Sequence, residues 1–150
     1  MSLSIQSVGE TAPAKVLVTG EVDVSNADEL RLEVLSVVSS SAIPKSRRFT
    51  FAVPMAETAR EIVVEIERGE AYYPNTPGNV EARKSHYTLA IAACHALMRD
   101  VQALIEDGKR KGCGTHAHSF ERLAELADRE IALLKGARSR VRLLSGGGKG

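Results

Sequence analysis

The sequence predicts an all-α fold, an antiparallel four-helix bundle with a short N-terminal β-strand or hairpin extension. Three observations predict it. Apolar residues recur at helical spacing in four separate stretches between Asn26 and Val141. Strand-like sequence is confined to "KVLVTGEVDV" at 15–24, too little for a parallel α/β sheet. Aromatic residues make up 4% of the chain and Trp is absent, so the core must rest on Leu, Ile, Val and Ala, which suit closely packed helices. At 150 residues the chain is expected to form one domain and to bury roughly two-thirds of the surface its unfolded form exposes. Residues 1–24 read as a tail and β extension, 25–144 as the bundle, and the "SGGGKG" ending as a flexible tail from 145 to 150.

Each element has its own signal. "SNADELRLEVLSVV" opens with Ser25 three residues before Asp28, close to a capping box, and carries Leu30, Val34, Leu35 and Val38 at helical spacing. This predicts a first helix from Asn26 to Ser39, ended by "SSSAIP" and Pro44. A second helix is expected from Thr50, with Pro54 tolerated in its first turn and Met55, Ala59, Ile62, Val63 and Ile66 as its buried stripe. Gly69 closes it, and "YYPNTPGN" is turn-rich. The third and longest helix is expected over Val80–Asp107, with Leu89, Ala90, Ala93, Leu97, Val101, Leu104 and Ile105 inward and Gly108 as C-cap. Its alanines, Ala90, Ala92, Ala93 and Ala96, leave small-residue faces, and Ala92 and Ala96 are the candidate oligomer interface. Ser119 is a candidate N-cap for a fourth helix buried through Phe120, Leu123, Ala127, Leu134 and Val141.

The net charge of +1 conceals an asymmetry. Residues 1–44 hold two basic and six acidic side chains, whereas 45–150 hold eighteen basic and thirteen acidic. The basic remainder would attract an anionic partner. Two cysteines, Cys94 and Cys113, give no disulfide framework and fit a reducing cytoplasm. The start "MSLSIQSVGE" lacks the basic and apolar regions of a signal peptide, and no apolar stretch approaches a membrane span. The expected location is cytoplasmic.

No complete active site is visible, and the chain is expected to be non-enzymatic and to need no cofactor. Cys113, His116 and His118 are zinc-type ligands at close spacing, but a paired second half is missing, and the bland alternative is an exposed polar loop. For nucleophilic catalysis Cys94 with His95 or His86 is the one local candidate, but adjacent helix residues diverge and Cys94 in an Ala-rich stretch reads as a small buried hydrophobe. Glu57/Glu61 and Glu65/Glu67 are acidic pairs that more often mark a solvated helix face. The terminal "SGGGKG" is no phosphate loop, since no helix follows it.

The basic clusters are the better lead: Lys45/Arg47/Arg48, Arg83/Lys84, Lys109/Arg110/Lys111 and Lys135/Arg138/Arg140/Arg142. Arg138 and Arg142 are one turn apart and are expected to share a face. Several Arg and Lys on one surface bind phosphate backbones through salt-sensitive contacts. The alternative is ordinary solvated helix ends with cations favourably placed at C-termini.

Three segments carry a family resemblance: "IPKSRRFTFAVPMAETAREIVVEI", "HYTLAIAACHALMRDVQALIEDG" and "HSFERLAELADREIALLKGARSRVR" with its glycine–lysine tail. From about Ser40 to Arg142 the chain resembles the four-helix proteins encoded near ribosomal-RNA intervening sequences. It is especially similar to the accessory variability determinants of diversity-generating retroelements. The resemblance implies a bundle that assembles into a ring-like pentamer with a basic surface. It further implies an adaptor that binds a reverse transcriptase and its template RNA. By the same resemblance, Lys45, Arg47, Arg48, Arg138 and Arg142 are the implied nucleic-acid contacts. The chain has "GARSRV" where that family often carries a Gly-Trp-type aromatic segment. A second, shorter resemblance lies in "VLVTGEVDVSNADELRLEVL", which is similar to the opening strand, turn and first helix of anti-sigma-factor antagonist domains. That one implies a regulatory protein–protein module.

Overall fold

A computed structural model describes residues 24–112 and 117–144. Helix α1 spans Ser25–Val38, α2 Val53–Glu70, α3 Pro77–Arg110 and α4 Glu121–Arg140. A 3-10 turn at Lys45–Arg47 and a π-helical turn at Arg48–Ala52 lead into α2, and a 3-10 turn at Ala117–Phe120 leads into α4. Among the described residues the regular structure is all helical. The predicted β extension falls at 15–24, outside the described residues except for Val24, which is a turn residue capping α1. The regulatory-module alternative needs further strands, and the described residues after α1 supply helices instead.

Cross-helix contacts fix the topology. Arg47, just before α2, pairs with Asp107 near the end of α3. Asn26 at the start of α1 donates from Nδ2 to Glu130 Oε1 and to the Leu126 carbonyl of α4. Arg138, late in α4, donates to Thr88, early in α3. The first and third pairings join an early part of one helix to a late part of the next, and Glu29, further along α1 than Asn26, pairs with Arg122, earlier in α4 than Leu126, so neighbours run antiparallel. One end of the bundle therefore gathers the last turn of α1, the lead-in to α2, the end of α3 and the start of α4. The other end holds the α2–α3 turn and the end of α4, tied together by the Leu144 amide donating to the Pro74 carbonyl at 2.8 Å.

The predicted stripes of the second and fourth helices are buried as expected, from Met55 to Ile66 and from Phe120 to Val141. In α1 the inward face is Ala27, Leu30, Val34 and Val37, whereas Leu35 is exposed. In α3 Leu89 faces out, while Tyr87, Ile91 and Cys94 take interior positions. A three-to-four residue period leaves the edges of a stripe open, and packing against the neighbouring helices decides them.

Helix ends were less legible. Val24, not Ser25, occupies the α1 N-cap position, and Ser25 is the first helical residue. At the other end Ser39 Oγ and Ser40 Oγ donate to the Leu35 and Val37 carbonyls at 2.8 and 2.7 Å, so serines satisfy acceptors that the helix leaves open. Helix α3 begins earlier than expected because Thr76 caps it, accepting from the Asn79 amide at 3.1 Å with Pro77 in the first turn. It ends later because Gly108 stays helical and the left-handed turn falls at Gly112, φ 70°. Gly69 is the next-to-last residue of α2, which ends at Glu70 as the sequence nearly placed it. Ser119 belongs to the 3-10 turn, and α4 starts two residues after it.

One stretch of α3 is long and apolar enough to cross a membrane by length and composition, contrary to the expectation from sequence. In the bundle that helix packs against α2 and α4.

Candidate functional site

The antiparallel pairing of α2 with α3 brings together two basic clusters separated by about sixty positions. Lys45, Arg47 and Arg48 stand at the lead-in to α2, and Lys109, Arg110 and Lys111 stand at the end of α3 on the same end of the bundle. The cations of this end are not equivalent. Arg47 makes a two-pronged pair with Asp107, Nε to Oδ2 at 2.8 Å and Nη2 to Oδ1 at 3.1 Å. The hydrogen bond and the opposite charge raise the Arg47 pKa, and the same hydrogen bond lowers that of Asp107. Lys109 lies 3.6 Å from Glu106. Lys45, Arg48 and Arg110 are exposed, with no acidic partner among the described residues. A cleft of about 450 Å³ runs between Arg47, Thr50, Phe51, Glu106, Asp107 and Arg110. A second, of about 670 Å³, opens between α1 and α2, with Ile43, Ala52 and Val53 beneath and Lys45 and Arg48 at its edge.

The other two expected contacts lie elsewhere. Arg138 donates to Thr88 Oγ1 at 3.1 Å near the opposite end. From Thr88 to Asp107 the rise along α3 is about 28 Å, so the sequence-level site divides into two patches. Arg138 and Arg142 do not share a helical face, because α4 ends at Arg140 and Val141 is extended, with ψ 125°. Arg83 also leaves the basic set: it is buried, with Nε on Tyr87 Oη at 3.2 Å and Nη1 on the Tyr72 carbonyl at 3.3 Å. Ala92 and Ala96 are exposed on the outer face of α3, with Leu89 49% exposed one turn before Ala92.

Compared with protein-family models, curated proteins and solved structures, the chain has no match. Its chemistry is read from its own residues.

Cys94 is fully buried, and burial, with the Glu130 carboxylate nearby, pushes its thiol up to about 12. A thiol held protonated is no nucleophile at neutral pH. Cys113 and His116 lie outside the described residues, and His118 is exposed in the 3-10 turn before α4. Glu65 does not belong to a solvated face, as its spacing suggested. It is buried, with Oε1 2.7 Å from His86 Nδ1 and Oε2 accepting from Arg68 at 2.9 Å. Tyr72 stacks on His86, ring centroids 5.7 Å apart. Burial raises the Glu65 pKa most strongly, but the hydrogen bonds from His86, Glu61 and Arg68 together bring it below the ordinary value. Glu61 is shifted the opposite way, chiefly through its hydrogen bond to Glu65. The group ties α2 to α3.

Sequence reasoning named Arg110 among the basic residues but missed Asp107 as the partner of Arg47 and Glu65 as the partner of His86. Both pairings depend on which helix faces which, and no local motif announces them.

Proposed function

We propose that this protein is a non-enzymatic accessory protein, an oligomeric adaptor whose basic end binds RNA, as the resemblance to the retroelement accessory proteins implies. The observation that carries the reading is the placement of Lys45, Arg48 and Arg110 at one end of the bundle, exposed and without acidic partners among the described residues. At this end Asp107 is taken up by Arg47 and Glu106 lies against Lys109, which leaves Lys45, Arg48 and Arg110 without an ion pair and open to a polyanion. Association with a reverse transcriptase, a pentameric ring and a cytoplasmic location belong to the same reading and rest on the resemblance.

Titration of RNA binding at two salt concentrations tests it. The Lys45→Ala/Arg48→Ala variant should bind more weakly across RNA sequences, since backbone contacts position without reading bases. The slope of log affinity against log salt should fall by about 0.7 for each single-strand phosphate that the variant no longer neutralises. Equal affinity and slope in wild type and variant would refute RNA binding at this end. The comparison is then repeated with Arg138→Ala/Arg142→Ala for the opposite end.

A further inference from the structure

We infer that Phe49 is a stacking platform for an unpaired base, so that the basic end takes single-stranded rather than duplex RNA. The inference rests on the RNA-binding reading above and adds to it the form of the RNA. Phe49 is 83% exposed, more than any other large apolar side chain among the described residues. Two positions on, Phe51 is half-buried and packs against the core, so this segment does have room to bury an aromatic ring. Both lie in the π-helical turn Arg48–Ala52, where a step of two positions carries a side chain to roughly the opposite side, so Phe49 faces outward while Phe51 and Ala52 turn in.

The chemistry around the ring identifies its partner. Lys45, Ser46, Arg48 and Thr50 are all exposed, so cations and hydroxyls flank the ring along the chain, with Val53 half-exposed one turn on. The centre of a protein–protein interface is enriched in Phe and Arg but depleted in Lys and Ser, which both flank this ring. Sites for single-stranded nucleic acid combine a cationic track with aromatic rings on which bases of any identity stack. The cleft lined by Lys45 and Arg48, together with Ile43, Ala52 and Val53, is reached from the residue next to Phe49 in the chain. In a duplex each base face is covered by its neighbours, and Phe49 would find no face to stack on.

The test is a fluorescence-anisotropy titration with a labelled oligouridine and with a blunt RNA duplex of matched length. Phe49→Ala should weaken oligouridine binding by roughly ten-fold or more and leave the duplex within about two-fold. Its salt slope should match wild type, since every cation that meets a phosphate is still in place. Phe49→Trp should retain binding, and Phe49→Leu, apolar but without a π face, should behave like Phe49→Ala. Equal loss on both probes, or no loss on either, would overturn the stacking role. If Lys45→Ala/Arg48→Ala still weakens both probes in that case, RNA binding itself stands. A wild type that binds neither probe would defeat the RNA reading and this inference with it. If Phe49→Ala instead dissolves self-association in light scattering, the ring anchors a second copy and the stacking role is wrong.

Discussion

Arg47 and Arg48 are adjacent in sequence and differ in what holds them. Arg47 is clasped by Asp107 across the α2–α3 interface, whereas Arg48 faces water. Arg47→Ala should therefore lower the melting temperature and change RNA affinity little, and Arg48→Ala should do the reverse. Thermal melts beside binding titrations separate the two, and the opposite assignment would show that the Asp107 pair opens for RNA. Two glycines make a second pair of opposites. A Cβ on Gly69 would stand 2.9 Å from Tyr87 Cε1, and Tyr87 is fully buried. Gly69→Ala should destabilise by about 1–3 kcal/mol through overpacking, partly offset by the better helix propensity of Ala. A Cβ on Gly136 would meet only the Arg140 side chain, its Nη1 tip at 2.7 Å, and that side chain is free to swing aside. Gly136→Ala should be neutral or stabilising by up to about 1 kcal/mol, as a denaturant melt would read.

Among the elements, the α2–α3 pairing carries the most consequence. It is closed near one end by Arg47–Asp107 and near the other by the Glu65–His86–Arg68 group. The Glu65 pKa lies below its ordinary value of 4.5 in the folded chain. The unfolded chain then takes up the proton first as pH falls, so the stabilisation is complete above about pH 4.5 and is lost as pH drops through the folded value. Asp107 has the same sign. Glu61 and Asp100 are shifted upward and act against it. Glu65→Gln should cost about 1–3 kcal/mol at pH 7, because His86 and Arg68 lose an ionised acceptor. It should also flatten the acid limb of a stability–pH curve. An acid limb as steep as that of wild type would place the titrating group elsewhere.

On the scale of the whole molecule, the outer face of α3 is the feature that a single bundle leaves uncovered. Leu89, Ala92 and Ala96 follow one another at helical spacing and are exposed, with Leu133 of α4 42% exposed as well. Small residues let two helices approach closely, and closed homo-oligomers bury such faces. Ala92→Arg or Ala96→Glu should release monomers in light scattering without loss of helical signal. A wild type that stays monomeric at high concentration would remove the interface. The same measurement bears on the ring that the family resemblance implies.

Fold class was legible because helical periodicity is local: the stripes Met55–Ile66 and Phe120–Val141 could be written down before any helix was placed. So could the basic character of "PKSRR" and the small-residue face around Ala92. Helix ends were harder to read, since several competing caps were available and the chain used Thr76 and Gly112 in place of Val80 and Gly108. The site was only half legible. A row of cations is visible in one dimension, but charge acts through distances in three. Antiparallel packing placed Arg110 at the same end as Lys45 and Arg48, gave Arg47 to Asp107, drew Arg83 into the interior, and carried Arg138 and Arg142 to the far end. The sequence by itself determined which residues are apolar, basic or small and how often they recur. Only the tertiary structure decided which charges are spent on each other and which remain for a partner, because pairing depends on contacts between residues far apart in the chain.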